Sequence, residues 1–467
     1  MASRIVRIES ITIDNFKNVT HGTLDFENKR KDYKASVLGL YGQNGSGKTA
    51  LIDAIHLLKL ALCGKAVPKK YADYINVDTE YATLEYKFVV RYPEIVYNVW
   101  YQFSIRKVID ESVAGNAETT NEIATKVEIF DEVLAFSYKS KNDKMRKAPL
   151  IDTRTDELFT PKAKMQELVG NDKEKYMDLL VTKRLTKATS RSFIFSRELI
   201  NQYRRNCRNE LYMKLIESLY MFGHRELFVI DTESIGLISL NTLPLVFKYR
   251  NETSEAVGGV LLSLNGPALI PEDTYGIVEN VIKNMNIVLE QLVPGLRIGV
   301  VDLGSTMTKD GKIAKQTQLI SLKNNKQIPF CYESEGIKKI VSILQLLIVV
   351  YNNPSVTVAI DELDSGVFEY LLGEMLNIIS EKGKGQLIFT SHNLRPLETI
   401  DKGFIAFTTT NQKNRYIRLT NVKGTNNLRD FYYRDIVLGE QSEQVYNPTN
   451  NFEIALAFRE AGEAFGS

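Results

Sequence analysis

Hydrophobic and polar positions change period several times along the chain, and each change marks an element. Residues 5–18, IVRIESITIDNFKN, alternate Ile and Val with polar side chains, the period of an edge or half-buried strand. KASVLGLY (34–41) is a short apolar run, a buried-strand signal. It leads through glycines into TALIDAIHLLKLAL (49–62), whose apolar residues are spaced for a helix. From Ala82 to Val108 alternation returns with Tyr, Phe, Trp and Val and predicts a β-hairpin or meander, which residues 121–138 continue. Lysine-rich turns begin near Ser140, and from about Pro161 to Tyr220 the pattern is helical. ELFVI (226–230) reads as a strand that closes this insertion. Acids after Pro271 begin a helix that Pro294 and Gly295 end, and strands at 296–303 and 317–322 flank an Asp310-Gly311 turn. The last third alternates helix and strand: IKKIVSILQLLIVVY, VTVAI, a helix from Val367, QLIFT and GFIAFTTT. No internal repeat is visible, and the linkers are short. The pattern predicts an α/β body in three chain segments: an N-terminal lobe (1–138), a helical insertion (139–225) and a C-terminal lobe (226–467).

Composition narrows the class. With 467 residues, 44% hydrophobic and 25% charged, the chain is ordinary globular protein, which sets aside disordered and collagen-like readings. Its longest apolar run, Ile340 to Tyr351, is too short to span a bilayer and reads as a buried helix. The opening MASRIVRIES has charge without a following apolar run, so no secretory signal is expected. Cys63, Cys207 and Cys331 suggest no disulfide framework, and they share no zinc-type spacing with His21, His56, His224 or His392. A cytoplasmic protein with no membrane partner is the expectation. A net charge of +2 gives no global basic field. A local one stands out: Lys183, Arg184, Lys187, Arg191, Arg197, Arg204, Arg205 and Arg208, with Glu198 as the acid among them. That stretch is a candidate face for nucleic acid or an acidic protein, and equally a solvated helical face.

The strongest chemical signal is GQNGSGKT: Gly42, Gln43, Asn44, Gly45, Ser46, Gly47, Lys48 and Thr49. It satisfies G-x-x-x-x-G-K-[ST] between a predicted strand and a predicted helix. Glycines let the backbone wrap phosphates, and amides at a helix N-terminus supply partial positive charge. Lys48 is placed to reach the β- and γ-phosphates of ATP, and the Thr49 hydroxyl to ligate Mg²⁺. Downstream, VTVAIDELD (356–364) ends a buried strand in Asp361-Glu362. Such a pair alone is also what an acidic helix cap looks like. Beside a phosphate loop, Asp361 is placed to hold Mg²⁺ and Glu362 to polarise the attacking water. QLIFTSHN ends a further strand in His392, which its position puts near the γ-phosphate, although a lone histidine is more often packed or at the surface. In YESEGIKK, Ser334, Glu335 and Gly336 precede a long apolar helix. Locally they read first as a helix cap and second as an anion-binding helix end offered to another subunit.

In this order, phosphate loop, Ser-containing signature, Asp-Glu strand and switch histidine, the motifs resemble the ABC-type ATPase heads of the RecF, SMC and OLD group. More narrowly, IVRIESITIDNFKNV at the start and NNLRDFYYRDIVLGEQSEQVYNPTNNFEIALAFREAG at the end are similar to AAA-family ATPases of bacterial anti-phage defence operons, most of all the ATPase subunits of PARIS systems, then those of Septu and retron-associated systems. The resemblance implies an ABC-type P-loop head, a mixed central sheet plus an antiparallel β subdomain, carrying an inserted helical module. It implies a nucleotide sandwich of two chains: Gly42–Thr49, Asp361, Glu362 and His392 from one, and Ser334, Glu335, Gly336 and the D-loop residue Asp364 from the other. It also sets Lys17 and Asn18 at the border of the nucleotide. The signature departs from the transporter form Ser-Gly-Gly-Gln, and the Q-loop glutamine is open: Gln102 is a candidate, while Gln166 and Gln202 lie deep in the insertion.

Within that group the long, strand-rich interval between Thr49 and Ser334 argues against a transporter subunit, and residues 161–220 lack the sustained heptads of SMC arms. The segment after His392 holds no Asp-x-Asp triplet of a Toprim nuclease, and Asp231 and Glu233 in LFVIDTES stand alone. The expectation is therefore a slow ATPase, a homo-oligomeric sensor or scaffold that controls a separate effector, a Toprim nuclease, in response to a phage trigger protein or DNA. The competing expectation is a RecF-like repair ATPase that clamps DNA through its basic stretch.

Overall fold

The computed structural model describes residues 4–28, 34–110, 124–250, 255–308, 310–324, 326–420, 427–439 and 441–464. Two six-stranded sheets with one helix between them hold the nucleotide motifs. The first sheet is antiparallel, in the order β2 (Val19–Asp25), β1 (Ile5–Phe16), β4 (Tyr81–Arg91), β5 (Ile95–Ile109), β6 (Thr125–Ser140), β7 (Lys144–Asp152). The second is mixed, in the order β18 (Tyr416–Ile417), β17 (Ile405–Thr408), β3 (Ser36–Tyr41), β16 (Gln386–Thr390), β15 (Thr357–Ile360), β8 (Leu227–Ile230), and all its pairs are parallel except β17 with β18. Helix α1 (Lys48–Leu62) lies between them. Its Leu51, Ile52, Ile55, Leu57, Leu58 and Leu62 are all fully buried, because one side meets the antiparallel sheet and the other meets Leu38, Leu40, Ala359, Ile388 and Ala406 of the mixed sheet. That double burial is why its sequence is apolar around nearly the whole circumference. Each such side chain contributes roughly 1.5–3 kcal/mol.

The opposite face of the mixed sheet, Val37, Tyr41, Phe228, Ile230, Val358, Ile360, Leu387 and Phe389, forms a second core. It packs with α8 (Glu335–Asn352) and α9 (Glu369–Lys382). Alternation along β3, Val37 to one core and Leu38 to the other, is the strand period acting in a sheet covered on both faces. The same second core takes α7 (Glu272–Leu292) and two small sheets. One is the hairpin β9 (Thr242–Arg250) with β10 (Glu255–Ser263); the other is β11 (Ala268–Pro271), β13 (Ile313–Lys323) and β12 (Leu296–Met307), with β14 (Lys326–Pro329) on β13. Helices α2 (Lys162–Val169), α3 (Lys173–Ala188), α4 (Arg197–Asn206) and α5 (Glu210–Arg225) make the insertion. Four further helices are α6 (Thr232–Ser239), α10 (Pro396–Thr399), α11 (Leu428–Leu438) and α12 (Asn451–Ala464).

Three expectations change. β1 is not an edge: β2 and β4 flank it, and only its half-buried alternation survives. β7 falls inside the span read as the helical insertion; it is a sheet-edge strand with Lys144, Lys147 and Pro149, the residues that blunt edges and erase alternation. The hairpin β9–β10 was not legible, since Pro244 and Gly258-Gly259 interrupt its pattern. The lobes also interleave. β3 from the first chain segment sits between β16 and β17 from the last.

Candidate nucleotide site

Gly42 to Thr49 leaves the C-terminal end of β3 and enters α1. Gly42, Gly45 and Gly47 have φ of 151°, 73° and 94°, a backbone that side-chain-bearing residues rarely adopt. A Cβ on Gly42 would lie 1.8 Å from Thr408 Oγ1, whereas one on Gly45 would meet nothing, so the loop is tight at its root and open at its crown. Lys48, 6% exposed, folds back so that Nζ donates to Gly42 O at 2.8 Å and Gln43 O at 3.0 Å. Burial lowers its pKa, opposed by the charges of Asp361, Glu362 and Asp364.

The loop is buttressed from parts of the chain that the motif does not include. Tyr416 Oη donates to Gly47 O at 3.0 Å, and Ser46 is hydrogen-bonded to Thr408. Arg415, 4% exposed, donates to Thr409 O at 2.6 Å and Asn18 O at 2.5 Å, and Asn18 in turn donates to Gly45 O. Asn18 thus holds the crown of the loop from outside. Lys17 points elsewhere than expected: it is ion-paired to Asp53 of α1 and lies 3.9 Å from the centre of the Tyr74 ring.

Asp361 ends β15 at 1% exposure and accepts from Thr232 Oγ1 at 2.7 Å and from Thr390 Oγ1. Two hydroxyl donors hold this buried carboxylate in one orientation. Glu362 follows at φ 43°, left-handed for a residue with a side chain, held there by its amide donating to Thr390 Oγ1 at 2.8 Å. Strain of this kind persists only where the surroundings over-determine it, and it aims the half-buried Glu362 away from the strand direction. His392 is exposed at the end of β16. Asp364 was expected to serve a second subunit. Its Oδ2 instead accepts from the amides of His392 and Asn393 of its own chain, at 3.0 and 2.9 Å, so its carboxylate shapes the histidine turn.

Ser334 caps α8, accepting from Ile337 N at 3.4 Å, so the local reading as a cap holds; Ser334 and Glu335 also remain exposed. Gly336 packs on the turn at Gly366, where a Cβ on Gly336 would lie 2.1 Å from Gly366 O. One turn further into α8, Lys339 is 2% exposed, and neither its Nζ nor Asp364 Oδ1 has a hydrogen-bond partner among the described residues. Burial pushes the Lys339 pKa down to about 8, against the pull of Asp364, Glu362 and Asp361.

The basic stretch is less of a face than its sequence suggests. Lys183 is buried and donates to the carbonyls of Thr153, Thr155 and Glu157. Arg204 pairs with Glu217 at 2.6 Å, and Lys187 lies 3.8 Å from Glu128. Arg184, Arg191, Arg197, Arg205 and Arg208 are exposed. Among the glutamines, Gln202 donates to Val169 O inside the insertion, Gln166 is exposed on α2, and Gln102 is half-buried in β5. Asp231 caps α6, accepting from Ser234, and Glu233 pairs with Lys70, which are structural tasks.

Among the described residues no three His, Cys, Asp or Glu converge as a protein-only metal cage. Thr49 and the fixed carboxylate of Asp361 fit Mg²⁺ in the mode in which most ligands are phosphate and water. No helix is long and apolar enough to cross a membrane among these residues.

Residues 10–218 match the AAA domain family. A stretch of 55 residues is 46% identical to the DNA replication and repair protein RecF of Chlorobaculum parvum and 44% identical to that of Chlorobaculum tepidum. It covers 12% of this chain and 13% of each relative's length. Among solved structures, an Smc head bound to the C-winged helix domain of ScpA aligns over 89% of this chain and 98% of its own, with 12% identity and a TM-score of 0.38. RecF with ATP aligns over 89% and 100%, with 13% identity and a TM-score of 0.35. Residues 10–218 are thus similar to an AAA domain, and a stretch of 55 residues of the chain is similar to RecF.

Proposed function

We propose that this chain binds and hydrolyses ATP as one half of a head-to-tail pair and that its nucleotide state holds or releases a separate effector. The observation that carries the reading is the meeting of three strand ends in one parallel sheet. β3 delivers the glycine loop and buried Lys48, β15 the fixed Asp361 and the strained Glu362, and β16 Thr390 and His392. Ligands bind at the carboxyl ends of such strands. In this reading the amides of Gly42–Thr49 and Lys48 bind the triphosphate, Thr49 and Asp361 hold Mg²⁺, which neutralises phosphate charge, and Glu362 orients the attacking water. His392 would face the terminal phosphate. Exposed Ser334 and Glu335, with half-buried Gly336, at the start of α8 are offered to the nucleotide of a second copy.

The effector side of the proposal rests on the likeness of the chain's ends to anti-phage defence ATPases, and the effector class it suggests is a Toprim nuclease in a separate chain. A second reading, a RecF-like ATPase that clamps DNA, is favoured by the 55-residue likeness to RecF. The test is steady-state hydrolysis and native mass of the purified chain with ATP. Glu362→Gln is expected to keep nucleotide, lose at least about 100-fold in turnover and accumulate as a dimer, since one positioned base contributes roughly 10²–10⁴. Turnover at the wild-type rate would remove Glu362 from its role. A Lys48→Ala chain that still bound ATP tightly would overturn the phosphate-loop assignment.

A further inference from the structure

Helix α12 is not buried against any element among the described residues. Residues 451–462 are exposed throughout, with Phe452 and Phe458 at 77% and 78% and Ile454 and Leu456 at 42% and 41%. Four large apolar side chains on one short helix mark a surface made to be covered. Where the helix is rooted is well defined. Asn447 N donates to Gln43 Oε1 of the phosphate loop at 3.0 Å, and Gln444 O accepts from Thr410 N at 2.8 Å. Residues 444–447 therefore run along the rim of the nucleotide loop, and only Pro448, Thr449 and Asn450 separate that rim from α12.

A second uncovered apolar surface flanks the signature. Tyr332 is 79% exposed just before Ser334, and Phe368 and Tyr370 are 70% and 54% exposed just after Gly366. The close packing of Gly336 on Gly366 brings these two segments together. We propose that α12 of one copy docks on the Tyr332–Phe368–Tyr370 surface of a second copy, clasping the pair on both sides of each nucleotide. This rests on the head-to-tail reading. In that arrangement the phosphate loop of one chain meets the signature of the other, so the root of α12 arrives beside this surface. α12 has 14 residues and is ~21 Å long. The occupant is a second copy because the root lies on the face that must close, and by two-fold symmetry the contact is made twice.

The test uses the full-length Glu362→Gln chain with ATP. Benzoylphenylalanine in place of Phe458 should give, on illumination, an ATP-dependent product of doubled mass. Its cross-linked peptide should contain Tyr332 or Phe368 and Tyr370. Phe452→Ser with Phe458→Ser should weaken the ATP-induced dimer at least tenfold while the monomer's nucleotide affinity stays unchanged. A cross-link within one chain or onto α3, or an unaltered dimer constant in the double variant, overturns the clasp and leaves the head-to-tail pair standing. If the Glu362→Gln chain forms no ATP-dependent dimer at all, the pair itself falls, and the clasp with it.

Discussion

Buried Lys339 and half-buried Asp364 are opposite charges that make no hydrogen bond to each other. Lys339 Nζ and Asp364 Oδ1 lack hydrogen bonds among the described residues, and burial brings the lysine's pKa down to about 8 against the pull of Asp364, Glu362 and Asp361. A buried donor without a partner costs about 1–3 kcal/mol, more when charged, and an apolar side chain of similar length removes that cost. Lys339→Met is therefore expected to raise the unfolding free energy by about 2 kcal/mol in denaturant titration. On the proposed function, the same change is expected to slow ATP turnover at least tenfold, because Lys339 of α8 is the buried cation that interacts with the charges of Asp364, Glu362 and Asp361. A variant that gained stability and kept full turnover would make the lysine a relic of packing only. Glu362 belongs to the same pattern: its left-handed φ is a local cost at the residue whose direction matters most. Lys48 was legible as a candidate from its motif, and Asp361 and Glu362 only with that motif beside them. Lys339 was not, since a lysine inside IKKIVSIL gives no sign of which face it occupies until α8 is packed.

At the scale of elements, one carboxylate ties the insertion to the sheet. Glu132 of β6 is buried at 3% exposure and accepts from Tyr101 Oη at 2.7 Å, from Ser192 Oγ at 2.5 Å and from Phe193 N at 2.6 Å, so the turn before α4 hangs on it. Burial raises its pKa, with the hydrogen bonds from Ser192, Tyr101 and the Phe193 and Ile194 amides opposing. A raised carboxyl pKa means the folded chain binds more protons than the unfolded one, so stability falls as pH rises through the window that begins at 4.5. Glu132→Gln keeps an oxygen for Phe193 N and lets the Tyr101 and Ser192 hydroxyls accept from the new amide. Its stability relative to wild type is expected to improve as pH rises from below 4.5 to 7, read as the difference in melting temperature across that range. An offset independent of pH would mean that Glu132 stays charged at no cost. Elements were legible where one physical cause set the pattern. α1 is apolar all round because two sheets bury it, and β15 (Thr357–Ile360) is apolar after its first residue because both its faces are covered. β7 and the β9–β10 hairpin were not, because edge lysines, proline and glycine follow chain topology instead of strand period. The buttress of the phosphate loop by Arg415 and Tyr416 was equally invisible, since it joins residues more than 350 positions apart.

For the whole molecule, charge bears on the two proposed readings, a DNA clamp and a subunit that acts on another protein. A net charge of +2 gives no long-range attraction for a polyanion, so DNA binding would depend on the insertion's local cations. Of these, Lys183 is spent on three carbonyls inside the fold, and Arg204 is paired to Glu217. What remains exposed on α3, Arg184 and Lys187, is interleaved with Met177, Val181 and Leu185 at 60%, 53% and 57% exposure, one per turn along the helix. Phosphates do not use an apolar ridge, whereas a protein partner with acidic and apolar groups does. Double-stranded DNA is accordingly expected to bind no tighter than the nonspecific range, roughly 10⁻⁴–10⁻⁶ M at physiological salt, and Arg184→Glu with Arg205→Glu should change the affinity little. Fluorescence anisotropy over a salt series reads both quantities. Each phosphate contact adds about −0.9 to the slope of log K against log salt, so a clamp through these arginines would show a steep slope that the two substitutions flatten by roughly 2. A steep slope lost in the double variant would move the chain to the repair reading. A shallow one would favour the proposed reading in which the insertion meets a protein instead of DNA.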